Sequence, residues 1–107
     1  MNPNAPLPST RKQHSVTLSD EAWAATLERA VLEETTASEI CERILVHYLN
    51  LESKPAPYTL PDHILTHKRS VHITKQTWAA ATVCKVSEKR SISAILEQLL
   101  RAYTGLW

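Results

Sequence analysis

The groups with the most chemical capacity in this chain of 107 residues are two cysteines, five histidines and a scatter of hydroxyls. His63 and His67 stand four apart, a separation at which two imidazoles on one helix face could hold a metal ion. They follow Pro61, and no third ligand is indicated, so neither a metal nor any other cofactor is expected. Cys41 and Cys84 fall inside helical patterns, where a thiol packs as a small hydrophobe. Covalent catalysis needs a nucleophile, a base and a group that orients the base; no such set emerges, and the chain is not expected to be an enzyme. One glycine, Gly105, cannot build a phosphate-cradling loop, which excludes P-loop and dinucleotide-binding enzymes. What remains is charge. Residues 1–53 carry four Lys/Arg against eight Asp/Glu, and residues 54–107 carry eight against three. The two halves can therefore attract each other, and the second can carry more of the load of an anionic ligand.

The elements that would position such a ligand repeat. Shifted by 55 positions, residues 15–50 lie on residues 70–105 without a gap, and 12 of the 36 columns are identical. The identities include Ser15/Ser70, Val16/Val71, Trp23/Trp78, Glu33/Glu88, Ser38/Ser93, Glu42/Glu97, Leu45/Leu100 and Tyr48/Tyr103. Each repeat opens on an alternating segment, residues 13–18 and 68–73, with strand periodicity. Ser19 and Thr74 then read as N-caps of a first helix. Its core stripe is read as Trp23, Leu27, Ala30 and Val31, and in the copy as Trp78, Ala81 and Val86. After a hydrophilic break, Thr36 and Ser91 cap a second helix. Its stripe is Ala37, Ile40, Cys41, Ile44, Leu45 and Tyr48, matched by Ile92, Ile95, Leu96, Leu99, Leu100 and Tyr103.

This pattern predicts a flexible arm over residues 1–10, one repeat over 11–50, a Pro-rich extended linker over 51–67 and the second repeat over 68–107. Tyr58, Leu60, Ile64 and Leu65 of the linker are candidates for packing on the core. One repeat of about three dozen residues is too small for a stable core of its own, and its lone strand would leave backbone groups unpaired. Pairing the two strands and interlocking the helices removes both deficits. The predicted fold is mainly α with a short two-stranded antiparallel β-ribbon, the two repeats forming one compact unit.

The segment SVTLSDEAWAATLERAVLEETTASEICERILVHYL and its copy resemble the ribbon-helix-helix DNA-binding proteins, the Arc, MetJ and CopG class, here in a tandem single-chain form like that of plasmid-transfer members. The resemblance implies a pseudo-dimer within one chain whose ribbon enters the major groove of double-stranded DNA. It implies base contacts from Gln13, Ser15 and Thr17 on one strand and Lys68, Ser70 and His72 on the other. It implies phosphate contacts at the start of each second helix, around Thr36 and Ala37 and around Ser91 and Ile92, with Arg11, Lys12, Arg69, Lys89 and Arg90 as nearby cations. The family usually has glycine between its helices; here Glu34 and Lys89 stand there, where a left-handed residue would cost about 1 kcal/mol.

The expected role is a small transcriptional regulator, chiefly a repressor, or a plasmid-transfer accessory protein, monomeric as a pseudo-dimer and open to cooperative assembly on DNA. The alternatives are an interaction module of the same fold that does not bind DNA, and an antitoxin. No apolar run is long enough for a membrane span and no signal core opens the chain, so a cytoplasmic protein with reduced thiols is expected.

Overall fold

Alternating apolar and polar residues give two strands, β1 (Arg11–Ser19) and β2 (Thr66–Thr74), which pair antiparallel. The computed structural model describes residues 10–106; the arm expected over residues 1–10 lies outside them except for Thr10. Between and after the strands come α1 (Asp20–Leu32), α2 (Ala37–Leu49), α3 (Lys75–Glu88) and α4 (Ile92–Thr104). The described residues thus form a small α/β domain of one two-stranded sheet and four helices.

The register is centred on Ser15 opposite Ser70, the same position of the two repeats. Arg11↔Thr74 at one end corresponds to Ser19↔Thr66 at the other. Each strand is nine residues long, longer than sequence alternation indicated. Thr66 and His67 accordingly belong to β2, and the linker ends one residue before it, because these two residues find partners in Ser19 and Leu18.

All four expected caps are present. Ser19, Thr36, Thr74 and Ser91 have extended backbones, and their hydroxyls accept from the backbone N–H of Ala22, Glu39, Thr77 and Ala94. Val16, Leu18, Val71 and Ile73 turn one face of the ribbon into the core. Helix α2 packs on β2 and α4 on β1, so each strand is covered by the second helix of the other half. The stripe Ile40, Cys41, Leu45 and Tyr48 of α2 and Ile95, Leu96 and Leu100 of α4 are buried as the periodicity indicated. Burial pushes the Cys41 thiol up to about 12, which keeps it protonated and unreactive.

The first helices bury only part of the expected stripe: Ala30 and Ala81 lie in the core, and Trp23 and Trp78 pack against it. Ala22, Thr26 and Ala30 are the buried residues of α1, and Thr77 and Ala81 those of α3. Leu27 and Val31 on α1 and Val86 on α3 are exposed, and Trp23 and Trp78 are half-buried. Small side chains permit close approach to the neighbouring helices, and the larger apolar residues are left outside. Leu65 of the linker is also exposed, whereas Tyr58, Leu60 and Ile64 are half-buried.

Glu34 and Lys89 both adopt the left-handed conformation, with φ of 55° and 56°. Around Glu34 the N–H of Thr35 returns to the carbonyl of Ala30 and that of Glu34 to Val31, a Schellman ending that ordinarily takes glycine. Replacing either residue by glycine is expected to raise stability by about 0.5–1 kcal/mol, read from the midpoint of urea unfolding. An unchanged or lowered midpoint for Glu34→Gly would show that this turn carries no backbone strain.

Candidate nucleic-acid interface

The strands' alternation that buries Val16, Leu18, Val71 and Ile73 leaves the opposite face of the ribbon open. The six residues expected to contact bases all lie on it, exposed. The pairing gathers them into three successive rungs: Thr17 opposite Lys68, Ser15 opposite Ser70, and Gln13 opposite His72. Gln13 Nε2 donates to Ser70 Oγ at 2.9 Å across the central rungs. Rungs on one face recur about every 7 Å and the strands lie about 5 Å apart, so the array fits within a groove about 12 Å wide.

The ribbon has two outer edges whose amides have no strand partner, and the second helices supply one. The N–H of Thr17 donates to Ser93 Oγ and that of His72 to Ser38 Oγ, both at 2.9 Å. These contacts bring the first turn of α4 against the Thr17/Lys68 end of the array and the first turn of α2 against the Gln13/His72 end. Thr36 and Ala37 open one helix, and Ser91 and Ile92 the other. Each first turn carries backbone N–H groups beyond those its cap satisfies, and the positive end of the helix dipole adds to them. The two ends differ in charge. Glu34 and Glu39 accompany α2, while Lys89 and Ala94 occupy the corresponding positions at α4. The linker adds a wall at the α4 end, closing a cleft of about 450 Å³ with Thr17, Tyr58, Lys89, Ser91 and Ser93 among its lining.

Beneath the rungs, corresponding carboxylates fasten strand to helix. Glu97 accepts from the N–H and hydroxyl of Ser19 at 2.7 and 2.6 Å. Glu42 accepts from the N–H and hydroxyl of Thr74 at 2.7 and 2.9 Å, and from the Thr77 hydroxyl. Burial acts to raise the Glu42 carboxyl, but the hydrogen bonds from Thr77 and Thr74 outweigh it and hold it below the ordinary range. On the helix side, His14 stacks on Trp78 at 3.8 Å, and Arg69 lies over Trp23 at 5.7 Å, again at corresponding positions. Ser38, Ser93, Glu42 and Glu97 are site-builders that the strand and helix periodicities do not single out. Their identity in both repeats, with the two glutamates inside an otherwise apolar stripe, was the available signal.

The expected phosphate cations are not alike. Lys12 and Lys89 are exposed and have no ion-pair partner among the described residues. Arg11 is on the open face but pairs with Glu39. Arg69 is on the other face of the ribbon, where alternation turns it inward to Asp20 at 2.7 Å. Arg90 is internal: its guanidinium meets Glu88 at 3.0 Å, the Tyr48 hydroxyl at 3.0 Å and Gln98 Oε1 at 2.5 Å. Asp20 thus holds Arg69 within the fold, although Arg69 Nε is buried with no hydrogen-bond partner among the described residues, and Glu88, Tyr48 and Gln98 hold Arg90. Arg90→Ala is expected to cost about 2–3 kcal/mol of folding stability, since it strips a partner from a largely buried carboxylate. A loss below about 0.5 kcal/mol in chemical denaturation would mean that the cluster contributes nothing beyond a surface pair.

Among the described residues no group of His, Cys, Asp and Glu could hold a metal ion, and no helix is long and apolar enough to cross a membrane. Comparison with protein-family models, with curated proteins and with solved structures gives no match for this chain.

Proposed function

We propose that the protein binds double-stranded DNA by laying its β-ribbon in the major groove, and that it acts as a small transcriptional regulator or plasmid-transfer accessory factor. In this reading the chain is a tandem ribbon-helix-helix pseudo-dimer that supplies both strands of the reading head by itself. The observation that carries it is the open stack of three polar rungs with a helix start at either end. Lys68 donates to guanine O6 and N7, Gln13 pairs with adenine, and the Thr17 methyl meets a thymine methyl. The amides near Ser91 and Ile92, with Lys89, take a backbone phosphate; those near Thr36 and Ala37, with Lys12 and the Glu39-bound Arg11, take the other less strongly.

Because the strands present different side chains, the preferred site is not a palindrome. Selection from random duplex DNA is expected to return a site with two unlike halves. Lys68→Ala is expected to cost about 1–3 kcal/mol and to relax base preference in one half alone. Binding should weaken steeply with added salt. A chain that is not retained on any duplex at low salt would instead favour the interaction module of the same fold, and a palindromic consensus untouched by Lys68→Ala would remove the ribbon as the reader of bases.

A further inference from the structure

The outward faces of α1 and α3 are apolar and opposite in charge. On α1, Ala24, Leu27 and Val31 share one side, with Val31 76% and neighbouring Leu32 72% exposed. On α3, Ala79, Val83 and Val86 share the corresponding side, with Val83 70% and Val86 72% exposed. Single exposed apolar residues are ordinary on a surface, but aligned on one helix face they form a patch that favours contact with another molecule. Glu28 and Glu34 flank the α1 face. Lys75, Lys85 and Lys89 flank the α3 face. None of these five has an ion-pair partner among the described residues. The sign change follows the repeat: Asp20 corresponds to Lys75 and Glu34 to Lys89.

We propose that these faces are the two sides of a self-association contact, in which α1 of one copy docks on α3 of another. The occupant follows from the charges. Two α1 faces repel, as do two α3 faces, whereas α1 against α3 joins carboxylates to ammonium groups around an apolar centre. The contact is heterologous, so a docked pair still offers one unused face of each kind until the assembly closes. It requires no DNA and does not depend on the reading of the ribbon.

The test is sedimentation of the full chain without DNA, from micromolar to submillimolar concentration. The average mass is expected to rise above that of one chain with concentration at low ionic strength, and to return to one chain as salt screens the contact. Glu28→Lys with Glu34→Lys, and separately Lys75→Glu with Lys85→Glu, are expected to stay single chains throughout. Their equimolar mixture is expected to associate again, because each variant retains the face that the other lacks. The proposal is overturned by a wild-type mass that stays at one chain at the highest concentration in low salt. It is equally overturned by association that survives either charge reversal, or by a mixture that fails to recover it.

Discussion

Glu97→Ala is expected to cost about 3–5 kcal/mol, enough to leave a domain of this size largely unfolded. Ser19 is fully buried, and its N–H and hydroxyl both end on the Glu97 carboxylate. Removing the acceptor strands two desolvated donors, at about 1–3 kcal/mol each. It also withdraws a carboxylate from Arg101, which otherwise keeps Glu21. Glu97→Gln keeps one acceptor oxygen and should lose only about half as much. Glu42→Ala, at the corresponding and slightly more exposed site, should fall between the two. The pH dependence has a definite sign. The Glu42 carboxyl is held below its ordinary range, so its contribution is complete above the unfolded carboxylate value and is lost as acid carries the pH down through the folded one. Urea denaturation followed by circular dichroism measures all three variants. A Glu97→Ala protein within 1 kcal/mol of the parent would show that the strand-to-helix fastening is not what holds β1 in place.

The second large effect falls on binding. Ser15 and Ser70 face each other at the centre of the open ribbon face, both small and exposed. Aspartate at both positions is expected to leave the fold intact, because like charges opposite one another on a strand pair cost only about 0.2–1 kcal/mol. Affinity for duplex DNA should nevertheless fall at least about 100-fold. Two carboxylates would be driven against base edges and between phosphates, each at a penalty of about 1–3 kcal/mol, and 1.4 kcal/mol is tenfold. Fluorescence anisotropy at fixed salt reads the loss, with circular dichroism as the check on folding. A folded double variant that binds as tightly as the parent would move the DNA contact, or the function, to another face.

The repeat makes most of this architecture legible in the sequence itself. Two copies in one ungapped register mark the strands, the four hydroxyl caps and the second-helix stripe, because each of those depends on local pattern. The six polar residues of the ribbon were legible for the same reason, since alternation alone decides which side of a strand they occupy. The turn of the first helices was not. Trp23, Leu27 and Val31 make a convincing stripe in isolation, but α1 buries its small side and packs Trp23 on the core while Leu27 and Val31 stay exposed, and that demand is tertiary. The cations divide in the same way. Lys12 and Lys89 needed no partner to be read as available, whereas Arg69 is engaged by Asp20, and Arg90 by Glu88, Tyr48 and Gln98, which only the folded chain assembles around them.

The pairing of β1 with β2 also sets how this protein must fold. Every rung joins residues roughly fifty to sixty positions apart, so no part of the ribbon can form until a long loop has closed. Helices can flicker in either half beforehand, but they have nothing to cover until the strands meet. The slow step is therefore the search of one half for the other, and the linker governs it. Lengthening that loop should slow refolding while barely changing stability, since each doubling of a flexible loop costs only about 0.6 kcal/mol. The hydrogen bonds that tie Ala56 and Tyr58 to Gln98 shorten the free part of the loop only after α4 has docked. They act late, holding the finished ribbon closed by slowing its unfolding and leaving the rate of its assembly unchanged.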